Sequence, residues 1–120
     1  MQSKQLAHVI CEALDDVKAN AVKTMDVRHL TSVTDFMIVA SGRSDRHVRA
    51  LADAVLERCR ELGCRPLGVE GQAGGEWVLL DLGDVVVHVM LPRVRDFYNL
   101  EKLWELEQRD EAPGTAAVPG

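Results

Sequence analysis

Glu76-Trp77-Val78-Leu79-Leu80-Asp81-Leu82-Gly83-Asp84-Val85-Val86-Val87-His88-Val89-Met90 holds two apolar runs of strand length, parted by Gly83-Asp84. That dipeptide suits the tight turn of a β-hairpin. Four of the five residues from Val85 to Val89 are valines. They are stiff at χ1 and favour a pleated chain over a helix. The second run lacks polar/apolar alternation, which predicts a central strand covered on both faces. In the first run Trp77, Leu79 and Asp81 share one side of the pleat, and Val78, Leu80 and Leu82 share the other. Only one of those sides need meet helices.

Outward from the hairpin, Asp35 to Gly42 reads as a buried strand running into a glycine. Ser44 follows as an N-cap whose hydroxyl can accept from the free amides of the next turn, and Asp45 suits the positive end of the helix dipole. The helix carries Val48, Leu51, Ala52, Val55, Leu56, Cys59 and Leu62 on one stripe and stops at Gly63. Earlier, Leu6, Val9, Ile10, Ala13, Leu14, Val17 and Ala21 recur at helical spacing, predicting an amphipathic helix over about residues 3–20. Thr24 to Arg28 alternates like a half-buried strand, and could pair with the strand at Asp35 as an antiparallel unit. Pro66 to Glu70 is extended, with Pro66 favouring a sheet edge. Gly71 to Gly75 reads as a flexible loop. Pro92 opens a third helix of about three turns through Val94, Phe97, Tyr98, Leu100, Glu101, Leu103 and Trp104. The order α-β-β-α-β-β-β-α predicts an α/β (α+β) domain with a mixed sheet of about five strands and flanking helices. It spans residues 1–107, followed by a Pro/Gly/Ala-rich tail, residues 108–120, expected to be disordered.

Composition narrows the function. The chain of 120 residues is 47% apolar and 28% charged, as in ordinary globular proteins. No apolar run approaches membrane-spanning length and the N-terminus is not patterned as a signal peptide, so a cytoplasmic location is expected. Fourteen basic against nineteen acidic side chains give a net charge of −5, the wrong sign for a free nucleic-acid binder. A basic protein partner fits better. Cys11, Cys59 and Cys64 are odd in number and lack metal-ligand spacing; Cys11 and Cys59 fall on apolar helix faces, which favours buried, reduced thiols over a redox role.

Few residues form a chemical constellation. Arg43, Arg46 and Arg49 make the start of the second helix positive, which would suit an anion or an RNA backbone. Gly42-Arg43-Ser44 nevertheless matches neither phosphate-binding fingerprint. Asp81 and Asp84 bracket a turn, with no third acid placed to complete a metal site. His8, His29 and His47 lie on separate elements, and His88 sits inside a valine run as a core or interface histidine. Trp77 with Asp81 and Glu70 has the make-up of an interface anchor with acidic neighbours, although a tryptophan there could also be core.

Four signatures occur in order: Thr34-Asp35-Phe36-Met37-Ile38-Val39-Ala40-Ser41-Gly42 with Ser44 and Arg46-His47-Val48, then Gly68-Val69-Glu70-Gly71, then Trp77 to His88, and then Phe97-Tyr98-Asn99-Leu100-Glu101-Lys102-Leu103-Trp104. Together they resemble the bacterial ribosomal silencing factors, the Iojap-related RsfS family, from about Leu6 to Trp104. The resemblance implies a nucleotidyltransferase-like fold without that superfamily's catalytic acids and without a cofactor or metal. It implies binding to the large ribosomal subunit through its fourteenth large-subunit protein, with block of small-subunit joining and lower translation when nutrients run short. It also implies a homodimer when free. The partner-binding residues expected are Glu70, Trp77, Asp81, Leu82 and Tyr98, with a minor contact to ribosomal RNA from Arg43, Arg46 and Arg49.

The rival reading is a magnesium-dependent nucleotidyltransferase using Ser41, Ser44, Asp81 and Asp84. Enzymes of that superfamily pair a Gly-Ser turn with Asp-x-Asp on the next strand. Here Ser41-Gly42 is reversed and Asp81-Leu82-Gly83-Asp84 has a different spacing. No catalytic residue is expected.

Overall fold

The computed structural model describes residues 2–102. The elements are α1 (Ser3–Asp16), β1 (Asn20–Asp26), β2 (Phe36–Ser41), α2 (Asp45–Glu61), β3 (Gly68–Glu70), β4 (Trp77–Asp81), β5 (Val85–Met90) and α3 (Pro92–Tyr98). Their order is the expected one, and the five strands form one mixed sheet in the order β1-β2-β5-β4-β3. β2 and β5 run parallel, with α2, β3 and β4 between them in the chain, while the other neighbours are antiparallel. The valine strand β5 is therefore central and β3 is an edge, as their sequences predict.

Helices α1 and α2 cover one face. Ile10 and Leu14 from α1 and Val48, Leu51 and Val55 from α2 meet Ile38, Val78, Leu80, Val87 and Val89 from the sheet, all wholly buried. The stripe on α2 places its apolar side chains about every turn against this layer. The Ser44 hydroxyl accepts from the His47 amide at 3.1 Å, capping α2 as its sequence suggests.

The opposite face carries a smaller cluster of Met25, Val27, Met37, Val39 and Met90, with Leu30, Trp77, Val94 and Leu100 packed against it. Cross-strand pairing shows how this face is laid out. One row runs Glu70, Leu79, His88, Val39 and Lys23; the next runs Gly68, Asp81, Val86, Met37 and Met25.

Several boundaries differ from the sequence reading. α1 stops at Asp16, because Lys18 turns left-handed (φ 66°) and the Ala19 amide returns to the Leu14 carbonyl at 3.0 Å. Ala21 belongs to β1, which starts at Asn20, four residues before the expected Thr24, and bulges between Asn20 and Lys23. Val27 lies past the end of β1 yet is buried, so the alternation through Met25 and Val27 holds. α3 is seven residues long: Asn99 is left-handed (φ 48°) and ends it, a conformation asparagine tolerates better than most residues. Leu100 to Lys102 are helical again. Leu103, Trp104 and the tail at 108–120 lie outside the described residues.

The loop Gly71–Gly75 is folded tightly. The Gly75 amide donates to the Gly71 carbonyl at 3.1 Å, and Gly75 is buried. A Cβ at Gly71 would lie 2.0 Å from the Trp77 carbonyl oxygen, and one at Gly75 would lie 2.8 Å from the Asp45 carbonyl oxygen. Only glycine permits both approaches.

Candidate functional site on the open sheet face

Trp77 begins β4 on the face away from α1 and α2 and is half-buried. Its indole N–H donates to His88 Nδ1 at 3.0 Å. Because an indole nitrogen can only donate, Nδ1 accepts and the imidazole proton sits on Nε2. His88 is 8% exposed, and burial holds its pKa down at about 4. The neutral ring is therefore the stable partner for the indole. Tyr98 from α3 lies 4.8 Å from Trp77 between ring centroids, and Phe97 meets Tyr98 edge-on at 5.0 Å. Four rings thus step from buried His88 outward to Phe97, which is 80% exposed. Such tilted and edge-on pairs are favourable aromatic geometries.

A groove of about 440 Å³ lies beside these rings, lined by Glu76, Trp77, Arg93, Val94, Phe97 and Tyr98. Arg93 reaches Glu76 across its rim at 3.2 Å. The acids expected near Trp77 are on the same face. Glu70 is exposed on the edge strand opposite Leu79, and Asp81 lies four residues along β4, about 13 Å from Trp77. One Asp81 oxygen accepts from the Gly83 amide at 2.9 Å, so this carboxylate also shapes the hairpin turn.

Leu82 does not join them. It is 6% exposed and packed in the helix-side core, since the pleat sends it opposite to Trp77. Phe97 and Val94, not Leu82, supply the apolar side chains beside Trp77 and Tyr98. The sequence reading also passed over Arg95, whose guanidinium grips Glu101 through two hydrogen bonds of 2.7 and 2.9 Å and donates to the Ser41 hydroxyl at 2.9 Å. The pair is largely buried, and Arg95 holds the Glu101 carboxyl below its ordinary range. This grip spans the Asn99 break and fixes the end of α3, and with it Phe97 and Tyr98. No sequence pattern points to it, because the two residues are six apart and do not follow helical spacing.

Arg43 and Arg46 are exposed at the start of α2, while half-buried Arg49 lies 3.5 Å from Asp45. A second shallow groove, lined by Arg43, Ser44, Asp45, Gly74, Glu76 and Arg93, shares its last two residues with the aromatic groove. The basic and aromatic regions are therefore continuous. The residues of the rival enzyme reading are scattered. Ser41 accepts from Arg95, and Ser44 caps α2. The Asp84 carbonyl accepts from the Phe36 amide at the far end of β2, about 17 Å along that strand from Ser41. Among the described residues no group of three or more His, Cys, Asp or Glu is placed to hold a metal ion, and no helix is long and apolar enough to cross a membrane.

Comparison with known proteins agrees with this architecture. The sequence profile of the family described as "Ribosomal silencing factor during starvation" matches residues 1–118. A Chromobacterium violaceum protein named "Ribosomal silencing factor RsfS" is 46% identical over 116 residues, 97% of this chain and 95% of that protein. A crystal structure of a protein from the same organism superposes with a TM-score of 0.86 at 48% identity, covering 88% of both chains. The mouse protein named "Mitochondrial assembly of ribosomal large subunit protein 1" is 37% identical over 81 residues, 65% of this chain and 36% of that longer protein. The chain belongs to the ribosomal silencing factor family.

Proposed function

We propose that this chain represses translation by lodging on the large ribosomal subunit where the small subunit must dock, with its fourteenth large-subunit protein as the seat. The observation that carries this reading is the aromatic step from Trp77 to Phe97, left partly open on the sheet face that also carries the acidic Glu70 and Asp81. An aromatic anchor enclosed by weaker contacts is the usual core of a protein interface, and acidic neighbours suit a basic ribosomal protein. The action is steric and occurs in the cytoplasm, with no chemical step. Arg43 and Arg46, beside the same face, make a minor contact with ribosomal RNA. In the free protein a second copy covers the open face, giving a homodimer.

Two measurements test this. Purified subunits mixed with excess chain are expected to stay apart on a sucrose gradient; joining at an unchanged rate overturns the proposal. Trp77→Ala is expected to keep its fold and lose about 30-fold in affinity for the large subunit, the equivalent of about 2 kcal/mol. A folded Trp77→Ala protein that binds at full strength removes Trp77 as the anchor.

A further inference from the structure

The end of α2 carries a feature that the open face does not use. Leu62 closes the helix and Gly63 takes φ 73°. The Gly63 amide returns to the Arg60 carbonyl at 3.1 Å and the Cys64 amide to the Cys59 carbonyl at 2.8 Å. These two bonds define a Schellman motif, whose first and last residues hold their side chains together, usually as an apolar contact. Here those two positions are both cysteines, Cys59 and Cys64. Cys59 is wholly buried, whereas Cys64 is half-buried and lines a solvent-open groove with Arg60, Gly63 and Arg65. Burial, and then the neighbouring Cys64 thiol, push the Cys59 thiol up to about 12. The bond between the two backbones keeps the α-carbons within the roughly 4.4–6.8 Å that a disulfide spans. The third cysteine, Cys11, has a different neighbour, its sulfur lying 3.2 Å from the Thr24 hydroxyl.

We propose that Cys59 and Cys64 are a reversible thiol–disulfide site, oxidised by a small-molecule disulfide such as oxidised glutathione. Cys64, the reachable thiol, gives up its proton and attacks one glutathione sulfur, releasing the first glutathione and leaving a mixed disulfide. Cys59 then gives up its proton and attacks the Cys64 sulfur, releasing the second. Two protein thiols are oxidised to one disulfide, one glutathione disulfide is reduced to two thiols, and the two protons end on the released sulfurs. Closure is the slow step, since the buried Cys59 thiol gives up its proton reluctantly. Disulfides of this kind in a reducing compartment act transiently, as redox sensors. The site sits where α2 hands the chain to β3, the strand that ends in Glu70.

The test uses the full chain, reduced and then freed of reductant under anaerobic conditions, with excess oxidised glutathione. The thiol count is expected to fall from three to one. The intact mass should fall by two hydrogens, a peptide map should join Cys59 to Cys64, and dithiothreitol should restore all three thiols. Cys11→Ser is expected to fall from two thiols to none. A lasting glutathione adduct on Cys64, a bond to Cys11 or to a second chain, or an unchanged count of three overturns the proposal. None of these readings involves the ribosome, so failure here leaves the proposed function standing, and the reverse.

Discussion

Val78 and Leu80 are wholly buried, whereas Trp77 and Leu79, their immediate neighbours on the same strand, stay partly open. Both sides of β4 are apolar, so side-chain chemistry does not explain the contrast. Coverage does. The helix side meets α1 and α2, of 14 and 17 residues, each supplying five buried side chains. The other side meets α3, of seven residues, none of them buried. A short helix pinned by Arg95 leaves apolar surface uncovered, and that surplus is what a partner can use.

The sharpest way to break this comparison is to shorten one leucine on each side. Leu80→Ala should cost about 3 kcal/mol, as expected for a cavity in a closed core, and Leu79→Ala less than about 1 kcal/mol. Urea unfolding of both variants measures the difference, and equal losses would mean that the two faces are equally closed.

His88 supplies the next test. Its folded pKa of about 4 lies below the ordinary 6.5, so the unfolded chain takes up a proton between those values that the folded chain refuses. Stability from this group is complete above pH 6.5 and falls as pH drops toward 4, by up to about 3 kcal/mol. His88→Gln keeps an acceptor for the Trp77 indole and should flatten that part of the pH dependence, read as the difference between the two proteins in urea midpoint. An unchanged slope would place the titration elsewhere.

The smallest effect concerns the basic margin. Arg43→Ala with Arg46→Ala should weaken large-subunit binding only a few-fold and lower the slope of log affinity against log salt by less than about 2. A collapse of binding would shift the weight from the aromatic face to RNA.

Much of the fold was legible because it rests on local chemistry. The Gly83-Asp84 turn, the Ser44 cap, the Gly63 stop and the valine run each act over a few residues, and together they imply a mixed sheet with β5 inside. The breaks were less legible. Lys18 and Asn99 turn left-handed without a glycine to announce it, so α1 and α3 come out shorter than their apolar spacing suggests. Of the candidate site, the sequence places Trp77 and Asp81 on one side of β4 and offers Tyr98 and Glu70 as neighbours, but which face was open could not be read, since both parities of β4 are apolar. Leu82 could not share an open face with Trp77 whichever side was covered, since the pleat alone puts the two on opposite sides. The Trp77–His88 bond needs the hairpin register, and the Arg95–Ser41 bond joins residues 54 apart. Such pairings are set by tertiary packing alone.

The Gly71–Gly75 loop has an engineering consequence. With the Trp77 carbonyl 2.0 Å from where a Gly71 side chain would begin, the loop works as a gauge block that sets the height of the tryptophan above the start of α2. Residues around the rim, such as Glu70, Arg43 and Phe97, are exposed and can be exchanged to retune specificity. A side chain added at Gly71 would instead tilt the whole platform, so redesign of this surface should leave that spacer untouched.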